Sequence, residues 1–174
     1  TVALKIRRLD ADRESMEREA NLLSIANSVD VGPKFVAKSK NFLAMELADG
    51  EKMVDWIKRD MEDQQVRSVT RQVLEQCFRL DTVGLDHGEL SNLNKHVIVG
   101  KNVMIIDFES ASVGRRVANV TAATQCLFIG SAIARKVRRI LKIHSTDEMI
   151  HALKKYKNDV SKENFESLVS VLKL

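Results

Sequence analysis

Three oxygen-bearing side chains stand where they could do chemistry: Glu89 and Asn94 in the run His87-Gly88-Glu89-Leu90-Ser91-Asn92-Leu93-Asn94, and Asp107 in Ile106-Asp107-Phe108-Glu109. A carboxylate and an amide oxygen are both hard ligands, the kind that hold Mg²⁺ jointly with substrate phosphates. A second carboxylate within reach can accept a hydroxyl proton. The stretch therefore reads as a metal and phosphate site.

A hairpin must position them. His96 to Val99 and Val103 to Ile106 are apolar, β-branched runs of equal length, separated by Gly100-Lys101-Asn102, the composition of a tight turn. If Val99 pairs with Val103, position 95 falls opposite position 107. Asn94 and Asp107 then meet at the open end, with Glu89 five residues upstream on the entering loop.

Glu89 to Asn94 resembles the D-x-x-x-x-N of the protein-kinase catalytic loop, and Asp107-Phe108-Glu109 resembles the D-F-G metal motif. His87-Gly88-Glu89-Leu90-Ser91 is nearer still to the H-G-D-L-S-type loop of the RIO kinases and of the small archaeal tRNA-modification kinase. Two positions depart from the pattern: Glu89 stands where the family has Asp, and Glu109 where D-F-G has Gly. The resemblance implies an α+β, protein-kinase-like two-lobed fold. Its N-lobe is a small antiparallel sheet with helix C, expected over residues 1–48, and a mostly helical C-lobe follows over 49–174. It also implies ATP and Mg²⁺ as cofactors, Glu89, Asn94 and Asp107 as catalytic residues, and Asn94 and Asp107 as metal ligands.

The chain opens on Thr1 and enters at once into Val2-Ala3-Leu4-Lys5-Ile6, an alternating strand pattern, so a preceding segment is expected. This stretch resembles the V-A-I-K strand of kinases, whose lysine grips nucleotide phosphates and pairs with a glutamate on the next helix. Asp12 can cap that helix, where Met16, Ala20, Leu23 and Ala26 or Asn27 trace an apolar stripe. Glu19 flanks the stripe and can turn inward, so a Lys5–Glu19 ion pair is expected. Glu17 points further round. Val31-Gly32-Pro33 breaks the helix, and strands over 34–37 and 41–47 follow, antiparallel because the connection is short. Met45 to Gly50 resembles the kinase hinge. The resemblance then implies nucleotide binding by Ala3, Lys5, Glu19, Glu46 and Ala48, through the backbone at Glu46 and Ala48, with Met45 as gatekeeper.

The period turns helical beyond Lys52. Met53, Trp56 and Ile57 form a short apolar face, Asp60 to Gln65 is polar, and Ser68 can cap a helix carrying Val69, Val73, Leu74, Cys77 and Phe78, ended by Gly84. After Asp107 only a short link precedes further helices, so no long activation segment fits. Val117 to Ile143 reads as helix with a break near Gly130; Ser145 and Glu148 fit a capping box, and Ser161 can cap a last helix. Arg135, Arg138, Arg139 and Lys142 fall on one helical face opposite Ile133, Val137, Ile140 and Leu141. That pattern suits a solvated face or a contact for RNA or another acidic partner.

At 174 residues, 44% apolar and 30% charged, the chain can bury a real core. A net charge of +4 permits an anionic partner without demanding one. No apolar run is long enough to span a membrane, and a cytoplasmic protein is expected. Cys77 and Cys126 lack metal-ligand spacing and read as reduced core thiols. His96, His144 and His151 are scattered and read as chemically idle. The leading function is ATP-dependent phosphoryl transfer by a RIO-like serine/threonine protein kinase acting on a protein substrate. Two alternatives stay open. One is a nucleotide-binding scaffold with little catalysis, since no G-x-G-x-x-G occurs and Glu89 replaces Asp; the other is a small-molecule kinase of the aminoglycoside or choline type, which shares the I-D-F-E flavour.

Overall fold

The computed structural model describes residues 1–7, 15–143 and 145–174. Asp12 and His144 lie outside them. The architecture is mixed α+β, with two small antiparallel sheets and eight α-helices among the described residues, arranged as a small kinase-like two-lobed fold.

The first sheet has strand order β1-β3-β2, with β1 at Val2–Ile6, β2 at Phe35–Lys38 and β3 at Phe42–Glu46. Pairing runs from Val2 opposite Glu46 to Ile6 opposite Phe42. Strand alternation sends Val2, Leu4 and Ile6 to the outer face, where they are exposed. Ala3 and Lys5 take the other face. Helix α1, Glu17–Asn27, packs beside this sheet through Met16, Ala20, Leu23 and Ala26, all buried as the stripe predicts. It ends before Val31, and the chain turns at Gly32 with φ +79°. A Cβ there would stand 2.6 Å from the Phe108 ring, so this close approach needs glycine.

The second sheet has order β4-β5-β6: β4 at Glu51–Lys52, β5 at Val97–Val99 and β6 at Val103–Ile105. Residues 47–50 connect the two sheets. Val99 lies opposite Val103 and Val97 opposite Ile105, the register expected from the apolar runs. The strands are one residue shorter than that reading at their open end. His96 ends a helical turn, α4 at Leu93–His96, and Asn94 sits on that turn instead of in the ladder. One bond still extends the pairing, from Ile106 N to the His96 carbonyl at 2.9 Å.

Helix α2 is Met53–Trp56 and α3 is Asp63–Thr82. Helix α3 begins five residues before Ser68, because Glu62 and Gln65 form the capping box that closes its first turn. Helices α5, Asn119–Phe128, and α6, Ala132–Leu141, replace the long C-terminal pattern; the chain breaks around Gly130, and Ser131 caps α6 by accepting from Ala134 N at 3.0 Å. Helix α7, Asp147–Asn158, starts after Thr146 without a side-chain cap, so Ser145 and Glu148 do not form the expected box. Helix α8, Lys162–Val171, is capped by Ser161 as expected. Phe165 stacks on Phe78 of α3 with centroids 4.5 Å apart, anchoring the terminal pair to the helix under the site. Cys77 and Cys126 are buried and free. No described helix is long and apolar enough to cross a membrane.

Candidate functional site

The loop after α3 is held from three sides. Its first anchor is a short antiparallel bridge in which Asp86 N donates to the Ser112 carbonyl at 2.9 Å and Ser112 N donates back at 2.8 Å. The Asp86 carboxylate also accepts from Arg115 Nε at 2.9 Å and from Ala118 N at 3.1 Å. One residue on, His87 N donates to Asn119 Oδ1 at 2.8 Å. The His87 ring is fully buried, with Nε2 3.0 Å from the Ile106 carbonyl. A carbonyl only accepts, so Nε2 carries the proton. Burial pushes the His87 pKa below the usual imidazole value, which keeps the ring neutral at pH 7.

The hairpin is clamped from beneath. The buried Gln76 amide of α3 donates to the Val103 carbonyl at 2.9 Å and accepts from Ile105 N at 3.2 Å. Asp81, five residues further along α3, is a second buried hub. It accepts from Asn119 N at 3.1 Å, Asn119 Nδ2 at 2.8 Å, Val120 N at 3.2 Å and Tyr156 Oη at 2.9 Å. Burial raises its pKa against the pull of these donors. The segment Val103 to Asn119 is thus tied to α3 at both ends, which fixes where Asp107 stands.

Asp107 has φ +72°, a left-handed conformation rarely taken by a residue other than glycine. Phe108 beside it is buried against His87, with ring centroids 5.1 Å apart. That packing turns the Asp107 carboxylate outward to Lys5. The Lys5 Nζ lies 2.6 Å from Asp107 Oδ1, 2.7 Å from Glu19 Oε1 and 2.9 Å from Glu109 Oε2. Burial lowers the ammonium pKa, but the hydrogen bonds to Asp107, Glu19 and Glu109 outweigh it and hold the group above the usual lysine value. At Asp107 burial raises the carboxyl pKa, and the Lys5 contact overrides this and leaves it below the usual aspartate value. Both groups are charged at pH 7.

The Lys5–Glu19 pair expected from the helical stripe is formed, with Glu19 almost fully buried. Glu17 points away and pairs with Lys38 at 2.7 Å. Glu89 lies on the far side of Asp107: one ligand atom from each of Glu89, His96 and Asp107 falls within 4.8 Å of the others. Asn94 Oδ1 is buried without a hydrogen-bond partner. A buried acceptor left unpaired costs about 1–3 kcal/mol, and a cation is the natural partner for an amide oxygen aimed at no donor. Asp107 Oδ2 likewise has no hydrogen bond among the described residues. The Asn94 orphan fits a hard divalent ion, and Asp107, 37% exposed at the side chain, is open to one. Ala3 is half-buried opposite Met45, Glu46 closes β3 with its N–H donated to the Lys34 carbonyl at 2.8 Å, and Ala48 lies half-buried in the connector. None of the three joins the Lys5 cluster directly.

Two contributors escaped the sequence reading. His96 reads there as an idle histidine, yet its Nε2 is 3.6 Å from Glu89 Oε2; its position two residues after Asn94 at the hairpin's mouth was the available signal. Glu109 reads only as a departure from the glycine of D-F-G, whereas its carboxylate takes a share of Lys5.

The RIO-domain family model matches residues 2–121 of the chain, which contain every residue named in this cluster. An uncharacterized protein of Methanocaldococcus jannaschii is similar, 30% identical over 99 residues that span 57% of this chain and 84% of that protein. Members of the matched family are generally atypical serine/threonine kinases that use ATP and Mg²⁺. With more than half its length matched, and with a lysine, a helix glutamate and the hairpin aspartate joined in one cluster, the chain belongs to the RIO domain family.

Proposed function

We propose that this protein transfers the γ-phosphoryl group of ATP to a hydroxyl of a protein substrate, as a RIO-like serine/threonine kinase. One observation carries the reading: a single ammonium joins Glu19 and Asp107, groups from opposite ends of the matched region. In this reading residues 1–48 form the N-lobe and 49–174 the C-lobe, with the nucleotide between them.

Each residue has a task. Lys5 exchanges Asp107 and Glu109 for the nucleotide phosphates while the buried Glu19 keeps its ammonium oriented. Asn94 and Asp107 hold Mg²⁺, which when bound neutralises charge developing on the transferred group. Glu89, whose side chain is 40% exposed, meets the acceptor hydroxyl and takes its proton. Ala3 and the backbone at Glu46 and Ala48 line the base, and the half-buried Met45 stands behind it. The setting is cytoplasmic, consistent with two free buried thiols. Arg135 and Arg139 are exposed on α6 and Lys142 just past its end, at the left-handed C-cap, all available to RNA or another acidic partner, whereas Arg138 donates to the Ile143 carbonyl at 3.3 Å.

Thermal unfolding with and without Mg²⁺-ATP tests the reading. Binding stabilises by RT ln(1 + [L]/Kd), about 2.7 kcal/mol at 100 Kd. Wild type is expected to show this shift and Asp107→Ala to lose it. Glu89→Gln is expected to keep the shift and lose about 10²–10⁴-fold in transfer. A wild type that ignores Mg²⁺-ATP overturns the proposal; binding without transfer to any protein favours the scaffold alternative, and turnover of an aminoglycoside or choline favours the small-molecule one.

A further inference from the structure

The site contains a nitrogen ligand that Mg²⁺ chemistry does not use. His96 is 7% exposed, its Nδ1 is buried without a hydrogen-bond partner, and its Nε2 points at Glu89 from 3.6 Å. The ring is held edge-on against His87, with centroids 5.5 Å apart. Glu89, His96 and Asp107 come from three segments, the loop after α3, the end of α4 and the exit of β6. Their ligand atoms nevertheless all lie within 4.8 Å of one another.

We propose that Glu89, His96 and Asp107 bind one divalent transition-metal ion of the Zn²⁺ class. Metal–ligand bonds of about 2.0–2.2 Å in a tetrahedral shell place neighbouring ligand atoms about 3.4 Å apart. The Glu89–His96 separation already has that size, and the carboxylates need only small side-chain rotations to complete the set. Imidazole suits Zn²⁺, Co²⁺ or Cu²⁺, whereas Mg²⁺ takes oxygen. Asp107 can serve because Lys5 engages only Oδ1. The neighbouring group Glu19, Asp107 and Glu109 is equally compact, but the Lys5 ammonium lies within 2.9 Å of all three carboxylates and already occupies the place an ion would take. The histidine therefore marks the side of Asp107 that takes a metal. Binding rests on this geometry alone. Its consequence rests on the phosphotransfer reading above: an ion held by Glu89 and Asp107 withholds both from the reaction, so micromolar Zn²⁺ inhibits.

Co²⁺ titrated into the full chain provides the test, followed by visible ligand-field absorption and competed with Zn²⁺, with isothermal titration for stoichiometry. One site per chain is expected. His96→Gln and Glu89→Gln should each weaken it by more than about 100-fold, since even changes outside the ligand shell cost 10–100-fold. His151→Ala, which changes an exposed histidine elsewhere, should leave the spectrum unchanged. Circular dichroism establishes that each variant is folded. Because Glu89 is partly exposed, its variant keeps the test decisive if His96→Gln does not fold. Absence of a Co²⁺ spectrum in wild type, or a spectrum that survives Glu89→Gln, overturns the proposal. Mg²⁺-ATP thermal shifts on the same wild-type sample separate that failure from failure of the kinase reading.

Discussion

Replacing Lys5 by methionine removes an ammonium shared by three carboxylates, and the structure says which of them suffers most. Asp107 and Glu109 are 37% and 46% exposed at the side chain, so they can rotate toward water, and each such contact contributes at most about 1 kcal/mol. Glu19 cannot follow them: its side chain is 5% exposed, between α1 and the sheet. Breaking a buried pair from one side costs about 3–5 kcal/mol, because the remaining buried charge loses a counter-ion. Lys5 itself is 26% exposed, which puts the expected loss at the low end, about 3 kcal/mol. For a chain of this size that corresponds to a fall in Tm of about 6–12 °C. Lys5→Met combined with Glu19→Leu removes both charges and is expected to return to within about 1 kcal/mol of wild type. Thermal melts of wild type, both single variants and the double variant measure the cycle. The sign with pH is also set. Because the folded-state pKa of Lys5 is raised, its contribution is complete below the unfolded value of 10.5 and is lost only as pH rises through the higher folded value. The melting difference is therefore flat across pH 7 to 9. A Lys5→Met protein melting within about 2 °C of wild type, or a double variant no better than the single, refutes the argument that Lys5 stabilises the fold through the buried Glu19.

Two further outcomes follow from the groups that hold the loop and hairpin. Asp81→Ala strands the N–H groups of Asn119 and Val120 and the Tyr156 hydroxyl in the core; at about 1–3 kcal/mol for each unpaired buried donor, the loss should be about 4 kcal/mol or more, read from urea unfolding. The folded-state pKa of His87 is depressed by burial below the unfolded value of 6.5. Its contribution is therefore present above pH 6.5 and lost as pH falls below it, with a slope of up to about 1.4 kcal/mol per pH unit. Stability against pH for wild type and His87→Gln checks this, and parallel curves between pH 7.5 and 5 would remove His87 as the cause.

The local chemistry was legible where it depends on neighbours in the chain. Alternation in Val2 to Ile6, the turn at Gly100 to Asn102 and the stripe from Met16 to Ala26 specify a strand, a hairpin with its register and a buried helix face, because each is a short-range periodicity. The helix edge at Glu19 followed from the same stripe. Boundaries were less legible. Ser68 is a good cap by type, but Glu62 and Gln65 cap earlier, and nothing local ranks one cap above the other.

What the sequence by itself determined is the set of groups able to do phosphate and metal chemistry, and the strand, turn and helices that carry them. Only the tertiary structure decided who meets whom. Glu109 and Asp107 converge on a lysine more than a hundred residues away, and a histidine that looked idle faces Glu89. The physical reason is that side-chain period and turn chemistry act over a few residues. The direction of Asp107 depends instead on a left-handed backbone, a buried Phe108 and the Gln76 and Asp81 clamps of α3, which only long-range packing brings together.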